Sequence, residues 1–328
     1  MSITASRKTT SSLLAAILQA RVPLRTIVPL RAHLSLRTHL SLRTRMPMLF
    51  GVLLLAGLMM VGCTDNPFES TPTIEASERE VRGIVRLSDG GDPSGIYIWM
   101  QGFDIATTTG PDGEFTVTLP PPEAQGPAGG ADGVYTLYSF LGNYRLRSVR
   151  TAVRDGAFVF PTDDISEGGE IREELLMQQL FSISTSLSRT HIEADSPRTI
   201  TIQVELRSDV PPVEVFFPRM LQGIEGPVLL HNLGTGEVDI YPTVVTGVEI
   251  QDYVQLGPTP YTRSMLLIIP KYKLQAGMYE IIPYLLPRMQ SVPIPLLNSL
   301  GNDVGALNEN YVYYPFRREG GILTVMPN

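Results

Sequence analysis

A single cysteine in 328 residues, Cys63, excludes a disulfide framework and leaves no Cys/His set for a structural zinc. Histidine is almost as scarce: of four, only His191 and His231 lie beyond residue 62, and neither belongs to an H-E-x-x-H pair. No G-x-S-x-G elbow, phosphate-binding glycine loop or dinucleotide fingerprint occurs, so the common templates for hydrolysis and nucleotide chemistry fail. The chain reads as non-enzymatic, with no catalytic residue, cofactor or metal to assign. Acidic residues are absent from positions 1–62, which carry eight Lys or Arg, and the rest holds 18 positive against 33 negative charges, a net of −15. Such a body repels phosphate backbones, and no basic stripe with interleaved aromatics offsets this, which excludes nucleic acid as a partner. With 18% charged and 43% apolar residues the chain is neither a coiled coil nor a charged disordered polymer, and its length leaves room for two packed cores.

What the front of the chain does have is an apolar run. Arg37, Arg43 and Arg45 precede an uncharged stretch from Met46 to Thr64 whose centre, Leu49 to Val61, is nearly all apolar. A spanning helix needs about 20 apolar residues, so this shorter run with basic flanks fits a secretion signal. It ends at Met60-Val61-Gly62-Cys63, which resembles the lipobox of bacterial lipoproteins, with Met60 where Leu is usual. The resemblance implies diacylglycerol on the Cys63 thiol, cleavage before it and acylation of the new amino terminus, so that the partner is a membrane. Several acyl chains at ~0.8 kcal/mol per buried CH₂ make such an anchor essentially permanent. The lipoprotein reading places Thr64 directly after the cysteine and Asp65 one further on, which favours the outer membrane of a Gram-negative cell, facing periplasm or cell surface. Upstream, the hexapeptide HLSLRT occurs twice in succession, at 33–38 and 39–44; so short an Arg-rich repeat builds no solenoid and reads as a gene start placed too early.

Residues 63–78 are polar and acidic with Pro67 and Pro72, a flexible tether. From 79 to 178 apolar and polar residues alternate at period two, punctuated by Gly, Pro and Asp, the pattern of short antiparallel strands. Val81, Val85 and Leu87 form one apolar row, Ile96, Ile98 and Met100 another, and Phe115, Val117 and Leu119 a third behind the tight turn Asp112-Gly113. The order V-R-G-I-V (81–85), G-I-Y-I-W-M (95–100), T-T-T-G-P-D-G-E-F (107–115), G-V-Y-T-L (133–137) resembles the carboxypeptidase regulatory-like domain. That resemblance implies a prealbumin-like, seven-stranded Greek-key sandwich and an accessory module without zinc ligands of its own. The stretch from Pro120 to Asp132, rich in Gly, Pro and Ala, lengthens a connection that the family keeps short and is expected to be a mobile surface loop. Glu173 to Leu180 fits a closing strand or one or two helical turns.

A second β-rich region covers 179–328. Phe181, Ile183 and Leu187 interleave with serines, and Ile200, Ile202, Val204 and Leu206 with Thr201, Gln203 and Glu205. Asn232 to Gly236 makes a turn; Met265 to Ile269 and Tyr279 to Ile282 read as central strands. Leu274 to Ile281 resembles the L-x-x-G-x-Y-x-I end of immunoglobulin-like sandwiches. The expected fold is thus all-β, two tandem antiparallel sandwiches behind a cleaved lipoprotein signal, with the four-proline stretch from Pro283 to Pro295 as an irregular connection.

Few residues invite chemistry. Asp163, Asp164, Glu167 and Glu170 form an acidic cluster without D-x-D-x-D-G spacing, which reads as a solvated turn rather than a calcium site. Trp99, Tyr97 and Tyr144 are candidates for an aromatic platform that stacks sugars, although such residues are more often core or half-buried strand positions; Tyr311, Tyr313, Tyr314 and Phe316 pose the same choice. The function this predicts is a membrane-anchored, non-enzymatic lipoprotein with binding or scaffolding sandwiches. The alternative is a glycan-binding accessory subunit of a surface uptake or degradation system.

Overall fold

A computed structural model describes residues 76–327, apart from 127–128, 196, 211, 219–224, 247–251, 272 and 289–291. Met60, Val61, Gly62 and Cys63 lie outside the described residues. Strand β1 (Glu80–Leu87) buries Val81, Val85 and Leu87 and leaves Arg82, Ile84 and Arg86 outside, because side chains alternate across an extended backbone. Strands β2 (Tyr97–Met100) and β3 (Ile105–Thr108) form a hairpin. After the Asp112-Gly113 turn, β4 (Glu114–Thr118) buries Phe115 and Val117, and Leu119 beyond it, with Glu114, Thr116 and Thr118 exposed. Strands β5 (Gly133–Phe140), β6 (Arg147–Arg154) and β7 (Ala157–Phe158) follow as a meander, and β8 (Leu175–Met177) comes last.

These strands build two sheets, β4-β1-β8 and β3-β2-β5-β6-β7, which enclose one apolar core. There are eight strands rather than the expected seven, and the pairing is not wholly antiparallel: β8 runs parallel to β1, with Leu175 opposite Val85. The closing segment is a strand because Leu175 and Met177 both find burial on the core side while Leu176 points out. In the 120–132 connection, expected to be mobile, the described residues on either side of 127–128 are tied down. The side-chain amide of Gln125 donates to the carbonyls of Pro120 (2.6 Å) and Gly156 (2.7 Å), and its Oε1 accepts from the Ala131 N–H at 2.9 Å.

The second part is larger. Its strands are β9 (Ser182–Leu187), β10 (His191–Glu193), β11 (Arg198–Arg207), β12 (Val213–Phe216), β13 (Glu225–Asn232) and β14 (Val238–Thr246). They are followed by β15 (Tyr253–Leu256), β16 (Tyr261–Ile269), β17 (Gly277–Pro283), β18 (Leu286–Pro287), β19 (Glu319–Gly320) and β20 (Ile322–Met326). A nine-stranded sheet, β10-β20-β17-β13-β14-β16-β11-β9-β19, faces a three-stranded one, β15-β12-β18. Ile200, Ile202, Val204 and Leu206 of β11 and Met265, Leu267 and Ile269 of β16 supply much of the core between them. Both runs expected to be central strands have neighbours on each side, β16 between β11 and β14 and β17 between β13 and β20. The 283–295 connection is not wholly irregular: it holds the two-residue strand β18, and Pro293 and Pro295 start the short helix α1 (Ile294–Ser299). Among the described residues no helix is long and apolar enough to cross a membrane.

The described residues are therefore nearly all β and build two sandwiches, and a third apolar core joins them. Trp99 and Phe140, from the outer side of the five-stranded sheet, gather with Leu229 and Ile282, from the outer side of the nine-stranded sheet, and with Tyr284, Leu296, Tyr311 and Tyr314 from the connecting segment. Alternation makes this possible. Ile98 and Met100 face the first core while Tyr97 and Trp99 face the third; Val228, Leu230 and Ile281 face the second core while Leu229 and Ile282 face the third. Full burial of each such side chain is worth ~1.5–3 kcal/mol, so the joint is stabilised as a core rather than as a loose interdomain contact.

Candidate functional site

The three aromatics proposed as a stacking platform do not form one. Trp99 is 3% exposed and Tyr144 1%, and they belong to different cores: Tyr144 to the first sandwich, Trp99 to the joint. Each has a polar partner that explains its burial. The Trp99 indole N–H donates to Asp104 at 3.3 Å and its ring stacks on Tyr138; the Tyr144 hydroxyl donates to Asp89 at 2.7 Å. Burial, and then the Asp89 carboxylate, raise the Tyr144 pKa well above the usual tyrosine range. Tyr97, half-buried, donates its hydroxyl to the Ser299 Oγ at 3.0 Å, which fastens β2 to the end of α1.

The aromatic group near the C terminus closes the same joint. Tyr314 stacks on Phe316 with ring centroids 4.7 Å apart and meets Phe140 edge-on. The Tyr311 hydroxyl donates to the Leu285 carbonyl (2.6 Å) and accepts from the Leu285 N–H (3.2 Å), and Tyr284 donates to the Gly305 carbonyl at 2.7 Å. Burial raises the pKa of all three tyrosines, that of Tyr284 to about 12. Tyr313 alone points outward. At Gly142 a Cβ would lie 2.6 Å from the Tyr314 ring and 2.7 Å from Phe316, so only glycine lets the β5–β6 turn approach them. Beside it Asn143, fully buried, donates to the carbonyls of Phe181 (3.0 Å) and Arg317 (3.1 Å) and accepts from the Arg317 N–H (3.0 Å). The Arg317 guanidinium in turn donates to the Ser94 carbonyl.

The remaining candidates do not converge. His191 is exposed on β10, where its Nδ1 lies 3.0 Å from the Thr190 hydroxyl; His231 is half-buried on β13, 3.7 Å from Glu280. Asp163, Asp164, Glu167 and Glu170 surround the turn closed by the Ile165–Ile171 bridge, and among the described residues no three His, Cys, Asp or Glu side chains are placed to hold a metal.

One concavity does form on the outside of the first sandwich. A pocket of about 460 Å³ is lined by Arg82, Ile84, Glu114, Phe115, Ile171 and Arg172, among others. Register explains it. Arg82 lies opposite Glu170 and Val85 opposite Leu175, so three steps along β1 match five along its partner, and the surplus residues leave the sheet like a bulge. Two of its lining charges are paired: Arg82 with Glu80 at 2.7 Å, and Glu174 with Arg86 at 3.3 Å. Exposed pairs of this kind are worth little to stability.

No protein-family model matches the sequence, and no curated protein matches it. Among solved structures the fold is similar to the Bacillus anthracis TIE protein, at 9% identity and a TM-score of 0.20 over 62% of this chain and 45% of that one. It is also similar to BcpA, the major pilin subunit of Bacillus cereus, at 10% identity and a TM-score of 0.23 over 62% of this chain and 63% of that one. The chain thus spans less than two thirds of the length of either.

Proposed function

We propose that this protein is a lipid-anchored β-sandwich scaffold: an acylated Cys63 holds it in the outer membrane, a short acidic tether leads away from the bilayer, and the paired sandwiches form one stiff, non-enzymatic body. The observation that carries this reading is the third apolar core. Two sandwiches on a flexible linker move independently, whereas two that share Trp99, Phe140, Leu229 and Ile282 are held fixed against each other. Trp99 and Tyr144 are buried in cores and Tyr97 is bonded to Ser299, so these side chains present no platform to a glycan.

The test is membrane fractionation with intact-mass measurement of the full chain beside Cys63→Ala. The expected result is a polypeptide that begins at Cys63 and carries diacylglycerol and acyl mass, found with the outer membrane, and a variant that is unacylated and keeps its leader. A wild-type chain without acyl mass overturns the anchor.

A further inference from the structure

The outer face of the three-stranded sheet carries a set of side chains that packing does not explain. Strand β12 lies between β15 and β18, with Phe216 opposite both Tyr253 and Leu286, and with Glu214 opposite Gln255. Val215, Val254 and Leu256 point inward to the second core, so Glu214, Phe216, Tyr253 and Gln255 share the outward side. They make two rows. In the first, Tyr253 and Phe216 stack with centroids 4.8 Å apart and planes 25° from parallel, and Tyr253 is 56% exposed. In the second, both oxygens of Glu214 are engaged by planar groups: Gln255 Nε2 donates to Oε1 at 2.9 Å and Arg288 Nη1 to Oε2 at 2.7 Å. The Arg288 side chain is itself 68% exposed.

We propose that this face binds the ring of a neutral pyranose saccharide. A tyrosine stacked at the correct angle on a second ring presents a fixed apolar plane to water, which costs free energy unless something flat and apolar covers it. One face of a pyranose, lined with C–H groups, is such a plane. The adjoining row supplies what the ring's edge requires: a hydroxyl both donates and accepts, and Glu214 accepts while Gln255 and Arg288 donate, all in positions fixed by their mutual hydrogen bonds. The Glu214–Arg288 pair is self-neutralised, so the face selects for no net charge, and a body of net −15 beyond the leader turns polyanions away. A proline-rich peptide also stacks on tyrosine, but it brings no adjacent hydroxyls to the polar row.

The experiment is calorimetric titration of the full chain in detergent micelles with neutral hexasaccharides of β-1,4-linked and α-1,4-linked glucose and, separately, with a proline-rich decapeptide. Saccharide binding is expected, to be weakened roughly tenfold or more by Tyr253→Ala, retained in Tyr253→Phe, and reduced severalfold by Arg288→Gln, which lies at an exposed position and leaves the core untouched. Circular dichroism checks that each variant is folded; if Tyr253→Ala is not, Arg288→Gln decides. No binding of either saccharide, binding indifferent to Tyr253 and Arg288, or Tyr253-dependent binding of the peptide alone would each overturn the proposal.

Discussion

Asn143 shows how much one side chain can hold. Its amide serves three backbone groups, on residues 38 and 174 positions away along the chain, the bond to Phe181 buried and the two to Arg317 partly buried. Replacing it with alanine leaves those groups unpaired, and a buried unsatisfied group costs ~1–3 kcal/mol. Asn143→Ala is therefore expected to lose ~2–4 kcal/mol in urea unfolding; a loss near zero would mean that water takes over the bonds. Nothing in the sequence marks this residue, since asparagine in a turn after an apolar strand ordinarily faces solvent. Trp99 is the opposite case. It was recognisable as either a surface aromatic or a core one, and only the presence of Leu229 and Ile282 above it decided the matter.

At the scale of single elements the sequence was informative. Period-two alternation placed Phe115, Val117 and Leu119 on the buried side of β4, and the Asp112-Gly113 turn before it is as expected, with Gly113 at φ +76°. There a Cβ would come 2.2 Å from the Val85 carbonyl oxygen, whereas Gly236, at the same φ, has nothing within 4 Å. Both alanine substitutions carry the left-handed backbone cost of ~1 kcal/mol, and only Gly113→Ala adds a collision. Gly113→Ala is thus expected to destabilise by at least ~1 kcal/mol more than Gly236→Ala under the same denaturant; equal losses would show that the turn relaxes freely. Strand β2 also carried a signal that alternation alone does not use. Tyr97 to Met100 has no polar residue on either side, as befits a strand covered by two cores at once. The parallel return of β8 beside β1 was not legible, because three residues of strand fit a helical turn equally well until their partner is known.

At the scale of the whole molecule the buried tyrosines and the single tryptophan make a direct test of unity. Burial holds the hydroxyls of Tyr144, Tyr284, Tyr311 and Tyr314 protonated above the ordinary tyrosine range, to about 12 for Tyr284. Tyrosine in the unfolded chain ionises near pH ~10. Between that pH and the higher folded value the unfolded state releases protons that the folded state keeps, so stability is intact below about pH 10 and falls as pH rises toward 12. Alkaline titration should show tyrosinate absorbance, loss of far-ultraviolet dichroism and the red shift of Trp99 emission in one transition. A Trp99 shift that precedes the loss of dichroism would show the joint opening before the sandwiches melt, and would count against a single stiff body.

Residue type and spacing were enough to determine an all-β chain, because alternation and turn residues act over a few positions and leave a local imprint. The acidic, cysteine-poor body and the basic, acid-free front were equally plain, being matters of composition. Which faces of those strands meet is another matter. Trp99 and Ile282 are 183 positions apart, and nothing local distinguishes an apolar side chain that faces a neighbouring sandwich from one that faces its own. The joint, the aromatic pair at Phe216 and Tyr253, and the burial of Tyr144 depend on long-range packing and register, and these only the tertiary structure decides.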